Sequence, residues 1–276
     1  MIKLKNSVVS CIFILMLIVM SSGTSVLADD WKIVDDSSWC RDGSSFFSKS
    51  ACEVRELTIN ETWKKITVDA NPNGGIKVEG WDKDSILIQA RVQPNAGSEK
   101  EAEEILSEID IQTDGNKIHA NGPKYFGSKK SWSVSYALKV PLKSNLKLSA
   151  LNGGISIDDV SGDINAKTVN GGVALKKVSG DVECDTLNGG IFAELDGERW
   201  KGKGFEAKTT NGGIKVKVPE NYSADLEAST VNGGIHIDFP IKIQGWIKKN
   251  IDTKLGDGGP PITLKTVNGG VSVEKN

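Results

Sequence analysis

From Lys143 to the last residue, apolar and polar positions repeat every nine residues. Successive units such as NGGISIDDV, SGDINAKTV and NGGVALKKV carry an apolar residue at position 4 and an apolar or small residue at position 6. This alternation predicts a short β-strand with one buried face, and the Asn-Gly-Gly or Ser-Gly-Asp that opens each unit predicts a tight turn. The pattern therefore predicts an all-β segment of short strands and turns.

Two kinds of unit alternate, so the structural repeat is about 18 residues long. At position 6 the SGD-type units mostly carry Ala or Cys, whereas the NGG-type units mostly carry Ile, Leu or Val. A thin wall opposite a thick wall fills a narrow core without voids. Because repetition at a fixed period is typical of solenoids, we predict a parallel β-solenoid with two walls and about 18 residues per coil.

Stacked coils place the turn asparagines in one column, about 4.8 Å apart, where their amide groups can hydrogen-bond along the stack. This predicted turn ladder consists of Asn152, Asn170, Asn188, Asn211, Asn232 and Asn268. Asn-Gly is also a strong hairpin signal, and an antiparallel meander is the alternative interpretation. We favour the solenoid because its coils cover their own interior, whereas a meander needs a second layer.

Residues before 143 follow the repeat only loosely. The region from 29 to 142 is predicted to be irregular β-structure with one helix at about residues 98–109, where Ser98 provides an N-cap and Glu101 follows three residues later. A solenoid needs its open end covered, and this region is the natural cap. The predicted organisation is a signal peptide at 1–28, a cap at 29–142 and a solenoid at 143–276.

The signal peptide is predicted from the order of charge and hydrophobicity. Lys3 and Lys5 precede an apolar run from Val8 to Met20, and Val-Leu-Ala at 26–28 fits a cleavage site. The run is shorter than a typical membrane span, so we expect cleavage, no stable membrane span, and a periplasmic, cell-surface or secreted location. Loss of the two lysines changes the formal net charge from −2 to −4. This balance gives no global attraction for nucleic acid.

Three cysteines follow the signal peptide. Cys40 and Cys52 lie close together in a loop-like segment, and an oxidising compartment favours a disulfide between them. Cys184 occupies position 6 of an SGD-type unit, in a column that is mostly alanine. We therefore predict that Cys184 is a free, buried thiol that packs the core.

Several motifs together resemble a known family. They are the repeated NGG and SGD turns, the leading CEVREL, the strand WSVSYALKVP and the closing LGDGGPPITLKTVNGGVSV. This combination resembles the bacterial family of β-strand-repeat envelope proteins called "putative adhesin", a domain of unknown function, over roughly residues 52–276. The resemblance implies an exported solenoid of the cell envelope, and it implies no catalytic residues.

The sequence offers little catalytic chemistry. It contains no nucleophile motif, phosphate-binding loop or CxxC pair. His119 and His236 fall at predicted surface positions, and position 6, where a calcium-binding β-roll needs Asp, is apolar. We therefore expect a protein that is not an enzyme, with no metal and no cofactor. A polysaccharide-active β-helix is an alternative, although nine-residue walls leave little width for its groove.

Three insertions interrupt the nonapeptides, at residues 197–201, 220–222 and 241–258. Each lies between an NGG-type and an SGD-type unit, so all three are predicted to emerge along one edge of the solenoid. The candidate ligand-binding edge consists of Arg199, Trp200, Lys201, Tyr222, Trp246, Lys248 and Lys249. Aromatic faces beside cations suit sugars, acidic glycans or a protein. The alternative is that the tryptophans only fold their own loops onto the solenoid.

These features predict an adhesin-like binding scaffold whose partner is an unknown envelope component, a glycan or a protein. A second hypothesis is a self-associating structural solenoid of the envelope. The unit NGGVSVEKN ends the chain, and in chain order it leaves the last coil as an open edge that another copy can extend.

Overall fold

The computed structural model describes residues 31–36, 38–40, 49–124, 129–240 and 249–276. The signal peptide predicted at 1–28 lies outside the described residues. Within them the chain forms β-strands and one helix of 10 residues. No described helix is long and apolar enough to cross a membrane. The prediction of an all-β fold with one short helix is confirmed.

The described chain up to residue 141 forms nine strands and the helix, which begins after the predicted cap Ser98. Their bounds are β1 (Lys32–Val34), β2 (Lys49–Ser50), β3 (Glu53–Ile59), β4 (Ile66–Asp69), β5 (Ile76–Trp81), β6 (Ile86–Ala96), α1 (Glu99–Glu108), β7 (Asp110–Asp114), β8 (Lys117–Asn121) and β9 (Ser131–Pro141).

After residue 141, each predicted nonapeptide strand is found. The bounds are β10 (Leu146–Asn152), β11 (Ile155–Asp158), β12 (Ser161–Asn170), β13 (Val173–Lys176), β14 (Ser179–Asn188), β15 (Ile191–Glu194), β16 (Gly204–Asn211), β17 (Ile214–Val218), β18 (Ala224–Asn232), β19 (Ile235–Ile237), β20 (Asn250–Leu255), β21 (Pro261–Asn268) and β22 (Val271–Lys275). Of these, β20 lies in the third predicted insertion and has no counterpart in the repeat.

The strands lie in two sheets that do not close on themselves. The NGG sheet, which holds the strands that follow the NGG turns, has 12 strands, and the SGD sheet has 10. Most strands of both sheets pair in parallel, and equivalent positions of successive units lie side by side, as Asn152 does with Asn170. We call a pair of strands at one level, one from each sheet, a rung. Along the stack, rungs 1 to 8 are β8–β9, β4–β5, β10–β11, β12–β13, β14–β15, β16–β17, β21–β22 and β18–β19.

The order of the rungs departs from chain order at both ends of the stack. Rungs 3 to 6, called the central rungs, follow the chain from residue 146 to 218. Rung 2 precedes rung 1 in the chain but pairs with both rung 1 and rung 3. Rung 7 is last in the chain but lies between rungs 6 and 8. We call rungs 2 and 7 the tucked rungs.

This order corrects one expectation. The last nonapeptide does not form an open end, because β22 pairs with β17 on one side and with β19 on the other. The end rung is instead β18–β19. The prediction that copies associate through an exposed edge of the last nonapeptide is therefore wrong.

Antiparallel strands account for the tucked order in the SGD sheet. At one end β20 pairs with β18 from Ala224 opposite Leu255 to Ser229 opposite Asn250. At the other end β7 forms a hairpin with β8. An edge whose backbone donors and acceptors are already paired cannot take a further strand. The last strand β21 therefore joins the sheet on the inner side of β18, next to β16.

The beginning of the chain extends the NGG sheet beyond rung 1. β6 pairs antiparallel with β9, β3 with β6, and β1 with β3. The helix α1 packs on β6, and the Arg55 guanidinium donates to the carbonyl oxygens of Leu106 and Ile109 at the helix end. The predicted disulfide joins Cys40 to Cys52 and is confirmed.

The core lies between the two sheets and is one continuous cluster of inward-facing side chains. Small residues such as Ala166 and Ala207 on the SGD sheet are buried together with larger residues such as Leu175 and Val216 on the NGG sheet. Cys184 is a free thiol with no exposed surface, as predicted. Burial raises the pKa of this thiol, which makes it an inert part of the core.

Candidate functional site

The turn from the SGD sheet to the NGG sheet carries a ladder of asparagine side chains. The Nδ2 of Asn170 donates to the Oδ1 of Asn152 at 2.8 Å, and the same bond links each further rung, including Asn268 of rung 7 to Asn211 and Asn232 of rung 8 to Asn268. At the other end Asn152 donates to Asn73 of rung 2. The predicted asparagines thus lie in one column, which Asn73 extends.

A column of threonine side chains also holds the turns, because their hydroxyls bond to the turn of the neighbouring rung. The hydroxyl of Thr168 donates to the carbonyl oxygen of Gly153 at 2.8 Å, and Thr186 makes the same bond to Gly171. The first glycine of the turn is required because the rungs approach closely. A Cβ on Gly171 would lie 2.1 Å from the carbonyl oxygen of Gly153. The turns therefore form a rigid, tightly stacked spine.

Beside this spine a long open groove runs along the NGG sheet, with a volume of about 1010 Å³. Its floor is the column of second glycines of the NGG turns. These are Gly154, Gly172, Gly190, Gly213, Gly270 and Gly234. Outward side chains of the same strands form one wall, among them Ala174, Phe192 and His236. The groove exists because position 3 has no side chain while position 5 has one.

The floor of the groove presents backbone N–H groups. In rung 2 the N–H of Gly75 donates to the hydroxyl of Ser135 on the outward face of β9 at 3.3 Å. The equivalent N–H groups of the six floor glycines have no acceptor among the described residues. These N–H groups recur at the strand spacing of about 4.8 Å, and most of the surface that lines the groove is apolar.

The predicted insertion edge is assembled, but its aromatic rings are not available to a ligand. Trp200 is 3% exposed, stacks on Phe205 with ring centroids 5.5 Å apart, and donates its indole N–H to Gly180. Tyr222 is 1% exposed. Both side chains are buried because their loops fold back onto the stack, which corrects their assignment as binding surfaces. A buried aromatic ring cannot present its face to a ligand, but it adds apolar contact to the core.

Three of the four cations predicted on this edge are exposed. They are Arg199, Lys201 and Lys249. Trp246 and Lys248 lie outside the described residues. The loops themselves meet, because the Ser223 N–H donates to the carbonyl oxygen of Glu198 and the Ser223 hydroxyl accepts from the Asp257 N–H. The described parts of the three insertions therefore lie together on one edge.

A small cleft of about 280 Å³ lies on this edge, lined in part by Asp159, Lys177, Asp196 and Tyr222. The Tyr222 hydroxyl is buried without a hydrogen-bond partner among the described residues. Burial, with a smaller contribution from Asp196, raises the pKa of this phenol, so it stays neutral. Within the part of the chain that the structure describes, no group of three or more His, Cys, Asp or Glu side chains is placed to hold a metal ion.

The groove was not identified from the sequence, although its signal is present there. Each NGG turn repeats a second glycine at position 3, directly before the strand. The tight turn requires the first glycine, because a Cβ at that position would clash with the neighbouring rung. The second glycine has more room, with the Gly172 Cβ position 3.1 Å from the Gly190 oxygen and that of Gly234 unobstructed. Its repetition therefore marks the floor of the groove.

Comparison with known proteins gives one family and several structures. Residues 198–274 match the family described as Toastrack DUF4097. No curated protein matches the chain. A "putative cell adhesion protein" from Clostridium sporogenes is 12% identical, covers 83% of this chain and 100% of its own, and superposes with a TM-score of 0.38.

Two further structures are similar at the same level. A "putative adhesin" from Bacteroides fragilis is 13% identical over 82% of this chain and 97% of its own, with a TM-score of 0.42. A "putative lipid binding protein" from Parabacteroides distasonis is 13% identical over 82% of this chain and 96% of its own, with a TM-score of 0.31. The family resemblance seen in the sequence is confirmed: residues 198–274 carry a match to Toastrack DUF4097, a domain of unknown function.

Proposed function

We propose that this protein is an exported, non-enzymatic surface protein whose two-walled β-solenoid serves as a binding scaffold. Parallel pairing in register, an 18-residue offset between Ile155 and Val173, and the asparagine ladder support the solenoid form. The disulfide between Cys40 and Cys52 supports a location outside the cytoplasm, because thiols stay reduced inside it.

The single observation that carries the binding role is the groove on the NGG sheet. It extends over six rungs from Gly154 to Gly234, which at about 4.8 Å per rung corresponds to about 24 Å. A groove of this shape fits an elongated ligand better than a compact one. Extended surfaces of stacked repeats are the usual binding sites of repeat proteins.

The chemistry of the groove favours a linear glycan of the envelope. The floor offers one N–H donor per rung, and a linear chain of sugar rings presents oxygen acceptors at a similar spacing. The wall adds the hydroxyls of Ser156 and Ser272 and the ring of Phe192. Hydroxyl groups and one aromatic face are groups that orient sugars, and the largely apolar lining suits the C–H faces of sugar rings.

A pair of arginine substitutions tests this role. Ala174→Arg puts a long side chain across the middle of the groove, and Ser149→Arg puts the same side chain on the outward face of the SGD sheet one rung away. Binding to isolated envelope glycans, measured by calorimetry, should fall about tenfold or more for Ala174→Arg and stay unchanged for Ser149→Arg. Unchanged binding by a folded Ala174→Arg protein would refute the groove as the site.

Two further readouts separate the alternatives. Arg199→Glu/Lys201→Glu reverses exposed charges on the insertion edge. We expect this double variant to bind as the wild type does, and a loss of binding would move the site to the edge. We also expect the glycan to be recovered intact after prolonged incubation. Shortened products would contradict the non-enzymatic assignment.

A further inference from the structure

Rung 7 is held on both sides by strands that precede it in the chain. β21 pairs with β16 and β18, and β22 pairs with β17 and β19. The edge of β18 on the far side is covered by β20. Rungs 6 and 8 therefore form a slot that is one rung wide and that the C-terminal segment fills.

All the contacts of this segment with the slot are non-covalent. Thr266 donates to the Gly212 carbonyl, Asn268 donates to Asn211, and Asn232 donates to Asn268. Ion pairs join Lys275 to Glu220 at 2.7 Å and Glu274 to Lys215 at 2.9 Å. Nothing in this set depends on which copy of the chain supplies the segment.

The segment is connected to β20 by the loop 256–260, whose sequence is GDGGP. Gly256 and Gly258 have φ values of 53° and 78°, a region that glycine enters without strain. The N–H groups of Asp257 and Gly259 donate to the side chains of Ser223 and Asp225. Fully extended, five residues span at most about 17 Å, so this loop is the hinge that must open for rung 7 to leave as a unit.

We propose that the slot between rungs 6 and 8 is a docking site for the C-terminal segment, residues 261–276, of a second copy of this chain. Two copies exchange their segments reciprocally, and each slot regains the full set of contacts. Such an exchange of identical elements is a low-cost route to a dimer. It needs no exposed edge, which the covered β18 does not provide. The proposal is independent of any ligand in the groove.

A cross-link between two differently mutated copies tests the exchange. One full-length copy carries Thr263→Cys and the other carries Glu227→Cys, both with Cys184→Ala to remove the free thiol. In the stack these two positions are direct neighbours on β21 and β18, with partly exposed side chains. After the two copies are refolded together at high concentration and oxidised, we expect a disulfide-linked dimer of one copy with the other.

Matched controls make the result decisive. Asn165→Cys and Glu183→Cys are equivalent neighbours on β12 and β14 of the central rungs, and they should give no linked dimer when placed on separate copies. Both cysteines of the test pair in one chain, refolded at low concentration as a monomer, should form an intrachain bond, which shows that the substituted strands still pair. Intrachain bonding without any intercopy product would refute the exchange. Equal intercopy product in test and control pairs would also refute it, because random association would then account for the dimer.

Discussion

The central rungs and the tucked rungs have the same turns but different relations to the chain. In the central rungs each unit pairs with the preceding unit of its own sheet, 18 residues earlier for Val173 with Ile155 and 23 residues earlier for Ile214 with Ile191. In rung 7, β21 pairs with β16 and with β18, although β18 lies between them in the chain. Local sequence therefore determines that a rung forms, whereas the order of rungs depends on which edges remain free.

The two ends of the SGD sheet follow one plan. At each end an antiparallel strand covers the outermost rung, β7 on β8 and β20 on β18. At each end the tucked rung lies one position further in. A long stack of parallel strands presents edges that other chains can extend, and covering them prevents uncontrolled pairing. The departure from chain order is thus a consequence of edge protection.

The largest expected effect is at the turn glycines. Gly171→Ala, at the first glycine of the rung 4 turn, places a Cβ 2.1 Å from a backbone oxygen, as Gly233→Ala does at 1.8 Å in rung 8, whereas Gly234→Ala, at the second glycine of that turn, places it in open space. We expect Gly171→Ala to lower the free energy of unfolding by about 4 kcal/mol or more. Gly234→Ala should change it by less than about 0.5 kcal/mol. Urea denaturation measures both, and equal losses would show that the second glycine of the turn is as crowded as the first.

The next difference is in the core. Leu175 in rung 4 has no exposed surface, whereas Ile237 in rung 8 is only partly buried. Leu175→Ala should cost about 3 kcal/mol because it leaves a cavity between the sheets. Ile237→Ala should cost about 1 kcal/mol, since its site already touches solvent. Similar losses for the two variants, again in urea, would argue that rung 8 packs as a central rung does.

A smaller difference is expected along the asparagine ladder. Asn170 both donates to Asn152 and accepts from Asn188, while Asn232 donates to Asn268 and ends the ladder. At about 1 kcal/mol per bond, Asn170→Ala should cost about twice as much as Asn232→Ala. Thermal unfolding of both variants gives the comparison. If Asn232→Ala costs as much as Asn170→Ala, the ladder does not act bond by bond.

The smallest effect concerns acid. Hydrogen bonds from Lys275 and Lys215 lower the pKa values of Glu220 and Glu274, the carboxylates that join rung 7 to the chain around rung 6. A lowered pKa stabilises the fold above the ordinary glutamate value of about 4.3, and this contribution is lost as the pH falls through the lowered pKa. The thermal midpoint of Glu220→Gln/Glu274→Gln should lie slightly below that of the wild type at pH 7. The gap should narrow as the pH falls below the ordinary glutamate value of about 4.3, and a gap that does not narrow would exclude these pairs as its cause.

Most of the fold could be predicted from the sequence because the turn and core residues of each rung recur in every unit. Apolar positions 4 and 6, the Asn-Gly-Gly turns, the Ser98 cap and the Cys184 column all report local geometry. The order of the rungs could not be predicted, because Asn211, Asn232 and Asn268 open nearly identical units and any two can stack. The pairing of β20 with β18 decides between them, and that pairing depends on an insertion without a repeat pattern.

The candidate site was only partly predictable for a related reason. Trp200 and Tyr222 stand in loops beside cations, a pattern shared by exposed binding residues and by aromatics that anchor a loop. Only the space above Phe205 and next to Gly180 determines that Trp200 turns inward. The groove was overlooked because its floor is backbone, and a missing side chain is a weaker signal in a sequence than a chemical group.

The tucked position of rung 7 is the central claim, and paired cysteines test it directly. In the stack Glu206 is beside Thr263, and Glu227 is one strand further away. Two strands correspond to about 9.6 Å, which is too far for a disulfide. In monomeric Cys184→Ala protein, we therefore expect Glu206→Cys/Thr263→Cys to form an intrachain disulfide and Glu206→Cys/Glu227→Cys to remain reduced. A stack in chain order would give the reverse, and that result would contradict the account.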